Sequence, residues 1–376
     1  MTVSPDQELL RLKVALLSHG IILPPREVGG RGGGAGPTLG RYFLLDEDVV
    51  VNAPARHGEQ AKRLGALAVE ASQNGQFQIV GFGKTHQTIQ AVSRPKFYDK
   101  QLPDGTPMTH VALVHGVDCL ASTIVQQCDY FSKGNECHFC SLPLSLRMGN
   151  TMLRKKPEQF LAVLQAAEKE GRANHILLTI GSQSRSDRGA KDYVEFIEVL
   201  RKHTQLPIGV QLEPPSSPEQ LQSLHDVGVD TIGIHIESFD DNVRRRYCPG
   251  KFQYADYSKY LAAWKTAVKI FGPGQVSTFV LLGLGDSSEQ LRTGFEKCTK
   301  IGVIPVPVPC RPNPGSRLEN FIPDYVGKLD QTINTYLDCA RFLKQYKLNP
   351  FNHLAGCIRC GGCTALKEAY RVLTPT

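Results

Sequence analysis

His175-Ile176-Leu177-Leu178-Thr179-Ile180, then Ile208-Gly209-Val210-Gln211-Leu212, then Thr231-Ile232-Gly233-Ile234-His235-Ile236 are the runs that decide the fold of this chain. Each is short and apolar nearly throughout, as a strand covered on both faces should be. Similar runs stand before them at Ala121–Val125 and after them at Val276–Leu282 and Val303–Val308. Amphipathic stretches fill the intervals. Pro157–Glu170 opens with proline at a first-turn position and places Phe160, Leu161, Leu164 and Ala167 on one face. Ser217-Pro218-Glu219-Gln220 reads as a cap, a first-turn proline and a capping-box glutamine ahead of Leu221 and Leu224. Gly171, Gly228 and Gly302 fall where helices should stop. Six strand–helix units imply a parallel sheet with right-handed crossovers. The expected fold is α/β: a partial (β/α)6 TIM-like barrel, with an open doubly wound sheet as the alternative. In either, chemistry belongs at the carboxyl ends of the strands. Pro307 and Pro309 cannot donate to a ladder, so the sixth strand should end early or lie at an edge.

Residues 114–322 carry these units. Residues 1–113 form an N-terminal extension, with a helix expected over Asp6–Leu17 and short strands at Tyr42–Leu45, Val49–Val51 and Phe77–Phe82. Its Gly29–Gly36 run has no Gly-Lys-Ser/Thr after it. No strand precedes the degenerate dinucleotide-type match at Gly30, Gly32 and Ala35. It reads as a mobile loop, with a loop ordered by a ligand as the rival. Residues 323–376 hold a helix, about Pro323–Tyr346, and a cysteine-rich tail.

The 376 residues are 41% hydrophobic and 21% charged, enough apolar material for a sizeable core. The longest apolar stretch, Val276–Leu284, is broken by Ser277, Thr278 and Gly283 and is about half a membrane span. Asp6 and Glu8 precede any apolar run, which argues against a secretory signal and for a cytoplasmic protein. A net charge of +7 spread over this length is a weak reason to expect a nucleic-acid partner. Eleven cysteines in a reducing compartment read as metal ligands before disulfides.

Cys128, Cys137 and Cys140 form C-x8-C-x2-C after the first barrel strand. Three readings compete. Zinc would want a fourth ligand, and His138 is wedged between two of the three. Buried, unligated cysteines would need no partner at all. A 4Fe–4S cluster on three thiolates would leave one iron open, which is the mark of a catalytic metal centre.

Three cysteines after the first strand of a βα barrel, with Phe139 just before the last, resemble the radical S-adenosylmethionine (radical SAM) enzymes. The usual spacing there is C-x3-C-x2-C; the first gap is longer here. The resemblance implies a 4Fe–4S cluster and SAM as cofactors, and reductive cleavage of SAM to a 5′-deoxyadenosyl radical that abstracts hydrogen from a substrate. It also implies a one-electron donor such as flavodoxin or ferredoxin. Gly181, Ser182 and Gln183 resemble a variant of the Gly-Gly-Glu motif for the SAM amino group, with an amide in place of the carboxylate. Glu213 and Glu237 end the third and fourth strands, and Glu237 resembles the residue that holds the ribose hydroxyls or amino group. Among Arg244-Arg245-Arg246, Arg245 is the candidate for the SAM carboxylate, and Gly283 and Gly285 resemble the motif beside adenine. Taken singly, each of these has a bland reading as a turn glycine, a cap or a solvated face. Their placement at one end of successive strands favours the functional one.

Cys357, Cys360 and Cys363 form C-x2-C-x2-C in the tail and read as an auxiliary iron–sulfur cluster, with zinc as the alternative. Cys310 is the candidate fourth ligand and His353 its rival. Gly105–Met108, His115–Ser122, the wide cysteine loop and Cys360–Cys363 together resemble an uncharacterised radical SAM family encoded beside a nitrilase in bacterial gene clusters. That suggests a small-molecule substrate in nitrile-linked metabolism. The rivals are a radical SAM enzyme acting on RNA or peptide, and a non-enzymatic iron–sulfur or zinc protein.

Overall fold

A computed structural model describes residues 4–24, 40–82 and 87–374; the Gly29–Gly36 run lies outside them. The described strands, in chain order, are β1 (Ile21–Ile22), β2 (Gly40–Asp46), β3 (Val49–Pro54), β4 (Leu67–Ala71), β5 (Gln76–Val80), β6 (Gln87–Ala91), β7 (Leu113–His115), β8 (Cys119–Val125), β9 (His175–Ile180), β10 (Ile208–Leu212), β11 (Thr231–Ile234), β12 (Val276–Leu282) and β13 (Val303–Pro309).

Strands β8 to β13 lie side by side in chain order and all run parallel, with β7 antiparallel on the outer edge of β8. A doubly wound sheet reverses its order partway; this one never does. The helices Pro157–Lys169, Ala190–Arg201, Pro218–Asp226 and Tyr257–Phe271 pack Phe160, Tyr193, Leu221 and Trp264 into one core with the strands. The sheet is an open barrel wall, because β13 does not pair with β8.

Three of the six expected barrel strands, at 175–180, 208–212 and 276–282, form over the residues the sequence reading gives. The fourth stops at Ile234, two residues short. Beyond it the Ile236 amide donates to Thr278 Oγ1 at 3.0 Å, and Glu237 rejoins as an isolated bridge to Val280. The sixth does not end early. It pairs with β12 from Val276↔Val303 to Leu282↔Pro309, and its prolines are tolerated because no described strand pairs with its other side.

In the extension, the helix Pro5–His19 opens with a Ser4/Gln7 capping box. Behind it the order β1-β4-β5-β6-β2-β3 is nearly closed on itself, because an isolated Ile21↔Ala55 bridge joins the two ends. The sequence reading missed the two-residue β1, and β4 and β6. The last two are interrupted by Glu70, and by Gln87 and Gln90, and bury only part of their residues, so neither shows a clear apolar run. Leu16, Phe43 and Val51 share a core with Val280, Leu282, Ile304 and Val306 and with the helices Leu329–Gln345 and Leu366–Val372. The described part of the extension is thus a side wall on β12 and β13.

The tail completes the barrel. The Gly356 amide donates to His175 Nδ1 at 3.1 Å, and the Thr231 hydroxyl to Ala355 O at 3.5 Å; both partners open their strands. The tail therefore enters beneath the amino ends. It then runs between β3 and β13, where the Asn52 amide donates to Gly362 O at 2.6 Å and the Thr364 hydroxyl to Pro307 O at 2.8 Å. Gly116, at φ 61°, permits this course: a Cβ there would come within 2.9 Å of Cys360 Sγ.

Lys155 is buried with no carboxylate partner among the described residues, donating to Thr151 Oγ1 at 2.8 Å and Met152 O at 3.0 Å. Burial pushes its pKa from the ordinary 10.5 down to about 7. Between those values the unfolded chain holds a proton that the folded chain has released, so stability rises with pH. From pH 7 to 9 the native protein should gain on the order of 2 kcal/mol relative to Lys155→Met, read as the difference between denaturant midpoints. Parallel pH profiles would refute the shift.

Candidate active site

Cys128 follows β8 at the cap of the short helix Asp129–Ser132. Cys137 and Cys140 close a turn in which the Cys140 amide donates to Cys137 O at 3.0 Å. His138 is held outward, its amide donating to Tyr247 O at 2.8 Å and its ring lying edge-on to Tyr247. The three cysteines and Phe139 line a cavity of about 360 Å³ that runs through the barrel. Burial pushes the Cys140 thiol up to about 12, and Cys137 and Cys128 add to the rise. Burial likewise raises Cys128. Crowded thiolates of this kind want a cationic centre to discharge them. Among the described residues, no group of three or more His, Cys, Asp or Glu converges on a single metal ion. A cubane takes each thiolate on a different iron, and the three cysteines share the lining of one cavity. Cys248, read from the sequence as structural, is buried in contact with Cys137.

The two strand-end glutamates line the same cavity, and each brings its own cation. Glu213 accepts from Tyr130 Oη at 3.1 Å and from Arg188 Nε at 3.1 Å; Arg188 also stacks on Tyr254, 3.7 Å from the ring centre. Glu237 takes a left-handed φ of 72° and pairs with Lys251 Nζ at 2.7 Å. Burial alone would lower the Lys251 pKa, but Glu237 and Cys137 hold it well above its ordinary value. Gly181 and Ser182 line the cavity as well. A Cβ on Gly181 would lie 2.1 Å from Gln127 O, so no other residue fits there without movement.

Other expected contacts fall elsewhere. Gln183 turns its amide back to Gln127 O at 3.0 Å and Gly181 O at 2.9 Å. Arg245 is exposed, its guanidinium 4.8 Å from the Phe252 ring centre. Gly283 and Gly285, at φ 96° and 124°, are outside the lining, and Gly283 packs against Pro323 and Tyr325. The sequence reading missed Tyr130, Arg188 and Lys251. No motif marks them; the available signal was that a buried glutamate needs a cation.

Cys357 and Cys363 line the cavity too, and Gln211 Nε2 donates to Cys357 Sγ at 3.5 Å. Burial, with Cys363 beside it, pushes the Cys360 thiol up to about 12. The structure corrects the expectation for Cys310. It follows β13 at the carboxyl end and packs with Cys137, Cys248 and Leu284, whereas Cys357 and Cys360 pack on Cys119 and Leu177. It stands with the first cysteine set, not the tail set. His353 is buried, bonded through Nδ1 to Gly274 O at 2.7 Å, and stands outside the cavity lining.

Between the two cysteine sets the lumen is partly polar. Thr123 and Thr179 share a hydroxyl hydrogen bond at 2.8 Å. His235 stacks on Phe279 at 4.0 Å, its Nδ1 accepts from the Phe279 amide at 3.0 Å, and burial holds its pKa well below the ordinary value. It is a neutral imidazole.

This carboxyl-end constellation agrees with the family comparison. The model of the radical SAM superfamily matches residues 127–297, and this match supports reading the chain as an enzyme of that superfamily. It is 26% identical over 243 residues to the bacteriochlorophyllide c C-7(1)-hydroxylase of Chlorobaculum limnaeum, covering 59% of this chain and 60% of that one. Similar solved structures include methylornithine synthase (15% identity, TM-score 0.49, covering 68% of this chain and 70% of that one). The FeFe-hydrogenase maturase HydG of Carboxydothermus hydrogenoformans is another (18%, 0.48, 62% and 52%). Among the described residues, no helix is long and apolar enough to cross a membrane.

Removing Lys251 would leave Glu237 enclosed without a counter-charge. Lys251→Met should cost about 3 kcal/mol or more in unfolding free energy, and the double variant Lys251→Met/Glu237→Leu should recover at least half of it. A double variant no more stable than the single one would show that the pair is not coupled.

Proposed function

We propose that Cys128, Cys137 and Cys140 hold a 4Fe–4S cluster whose open iron binds SAM, and that the chain uses it to activate a C–H bond of a small molecule inside the barrel. The observation that carries this is the convergence of the three cysteines with Gly181, Ser182, Glu213 and Glu237 on one cavity. Held by Cys128, Cys137 and Cys140, such a cluster would supply the electron for reductive cleavage of SAM. The chain's own residues do the rest. Glu237 offers a carboxylate to the ribose or amino group of SAM, fixed in place by Lys251. Glu213 is held by Arg188 and Tyr130. Phe139, Phe279, Leu281 and Val308 keep water from the reacting centre. A cavity of about 360 Å³ favours a small substrate over RNA or a protein segment. A hydroxylase among the relatives is compatible with C–H activation. The resemblance to the nitrilase-associated family directs the search for the substrate to nitrile-linked metabolism.

The proposal extends to Gln183, Arg245, Gly283 and Gly285 only if binding SAM rearranges the loops that carry them. It also includes an auxiliary cluster on Cys357, Cys360 and Cys363, and a flavodoxin or ferredoxin as the electron donor in the cytoplasm.

Anaerobic reconstitution with iron and sulfide, followed by dithionite and SAM, should yield 5′-deoxyadenosine, and Cys140→Ala should yield none. An intact cluster that gives no 5′-deoxyadenosine would refute the reading. Replacing Cys357, Cys360 and Cys363 together by alanine should remove about half the bound iron, if each site holds one cubane, while SAM cleavage persists. Unchanged iron content would remove the auxiliary cluster.

A further inference from the structure

The cavity is lined by the cations Arg188, Lys251 and Arg311. The first two are neutralised by Glu213 and Glu237. Arg311 is 5% exposed and has no carboxylate partner among the described residues. Its Nη1 and Nη2 donate to Asn52 Oδ1 and O, each at 2.6 Å, and its Nε has no acceptor. Arg56 stands beside it, 3% exposed and equally without a carboxylate. Arg56 Nη1 donates to Pro312 O at 3.0 Å; its Nε and Nη2 have no acceptor, nor does Asn52 Nδ2. Burial, reinforced by Arg311, pulls the Arg56 pKa down to about 10, against the opposing pull of Tyr325 and Cys310. The Arg56 guanidinium stays charged at neutral pH.

Two enclosed guanidiniums with no counter-charge are costly unless an anion joins them. Guanidinium groups match the planar, two-oxygen geometry of a carboxylate. One unpaired lining cation calls for one negative charge. The remaining wall, with Leu177, Phe279, Leu281 and Val308, is apolar and suits a short carbon chain. We propose that Arg311, backed by Arg56 and oriented by Asn52, binds the carboxylate of the substrate, which is a small monocarboxylic acid. This rests on the reading of the cavity as the active site. It gives the N-terminal extension a direct part in that site, through Asn52 on β3.

The test uses the full-length reconstituted protein and thermal unfolding at constant ionic strength, with butyrate as probe and butyramide as its neutral equivalent. Butyrate at about ten times its dissociation constant should raise Tm by about 2 °C, and butyramide should not. Arg311→Gln should lose the butyrate response. Asn52→Asp places a carboxylate against Arg311 from within; it should raise the starting Tm and also abolish the response, and it serves if Arg311→Gln does not fold. Undiminished butyrate stabilisation in either variant overturns the proposal. So does an equal response to inorganic phosphate, which would mark a general anion site. SAM alone should stabilise Arg311→Gln as it does the native protein; loss of that response would assign Arg311 to the carboxylate of SAM and overturn the substrate assignment. Because these readouts need no turnover, they separate failure here from failure of 5′-deoxyadenosine formation.

Discussion

Six parallel strands in unbroken chain order leave a gap between the first and the last, and the molecule depends on how that gap is filled. β8 and β13 do not pair. Asn52 of β3 and Gly362 of the tail meet across the opening, and Thr364 fastens the tail to β13. The Asn52–Gly362 contact joins segments 310 residues apart, yet closure entropy grows only logarithmically with loop length, so the distance is a modest obstacle. What they create is an enclosed lumen. Without them the inner faces of β12 and β13 would open to water, and a reactive intermediate could not be protected there.

Inside that lumen, both glutamates are held in neutral pairs. Glu213 comes with Arg188 and Tyr130, Glu237 with Lys251. Buried pairs of this sort add little to stability compared with an apolar filling, but breaking one is expensive. Their value is positional. Glu237 sits in a left-handed conformation that a non-glycine residue seldom adopts. Its backbone is clamped by Phe279 and Leu281, and its carboxylate by Lys251. Local strain held by surrounding bonds in a cavity wall is the signature of a residue placed for contact rather than for packing.

The barrel was legible because its strands are buried on both faces, and so leave apolar runs that no polar alternation interrupts. Three came out residue for residue. The extension was not, because β4 and β6 bury only part of their residues and carry Glu and Gln elsewhere. The cysteines of the loop announce themselves by spacing, as do the strand-end glutamates by position. Their cations do not. Lys251 and Arg188 arrive from helix and loop segments with no recurring pattern, and pairing is a property of three dimensions. Cys310 shows the same limit from the other side. Its place at the end of a strand was readable, but which cysteine set it would join depended on where the tail crosses, and nothing local to residues 357–363 encodes that.

The tail cysteines occupy the amino ends of the strands, the face of a βα barrel that serves stability rather than chemistry. Cys357 accepts from Gln211 on β10, and Cys360 presses on Gly116 beside β8. A centre bound there would tie the tail to strands on both sides of the lumen. Because ligands this close are not preformed in an unfolded chain, its binding energy would be folding energy. The two cysteine sets then divide the work by position. On the function proposed above, the set at the carboxyl ends faces the glutamates, while a centre on the set at the amino ends would fix the segment that closes the wall around them.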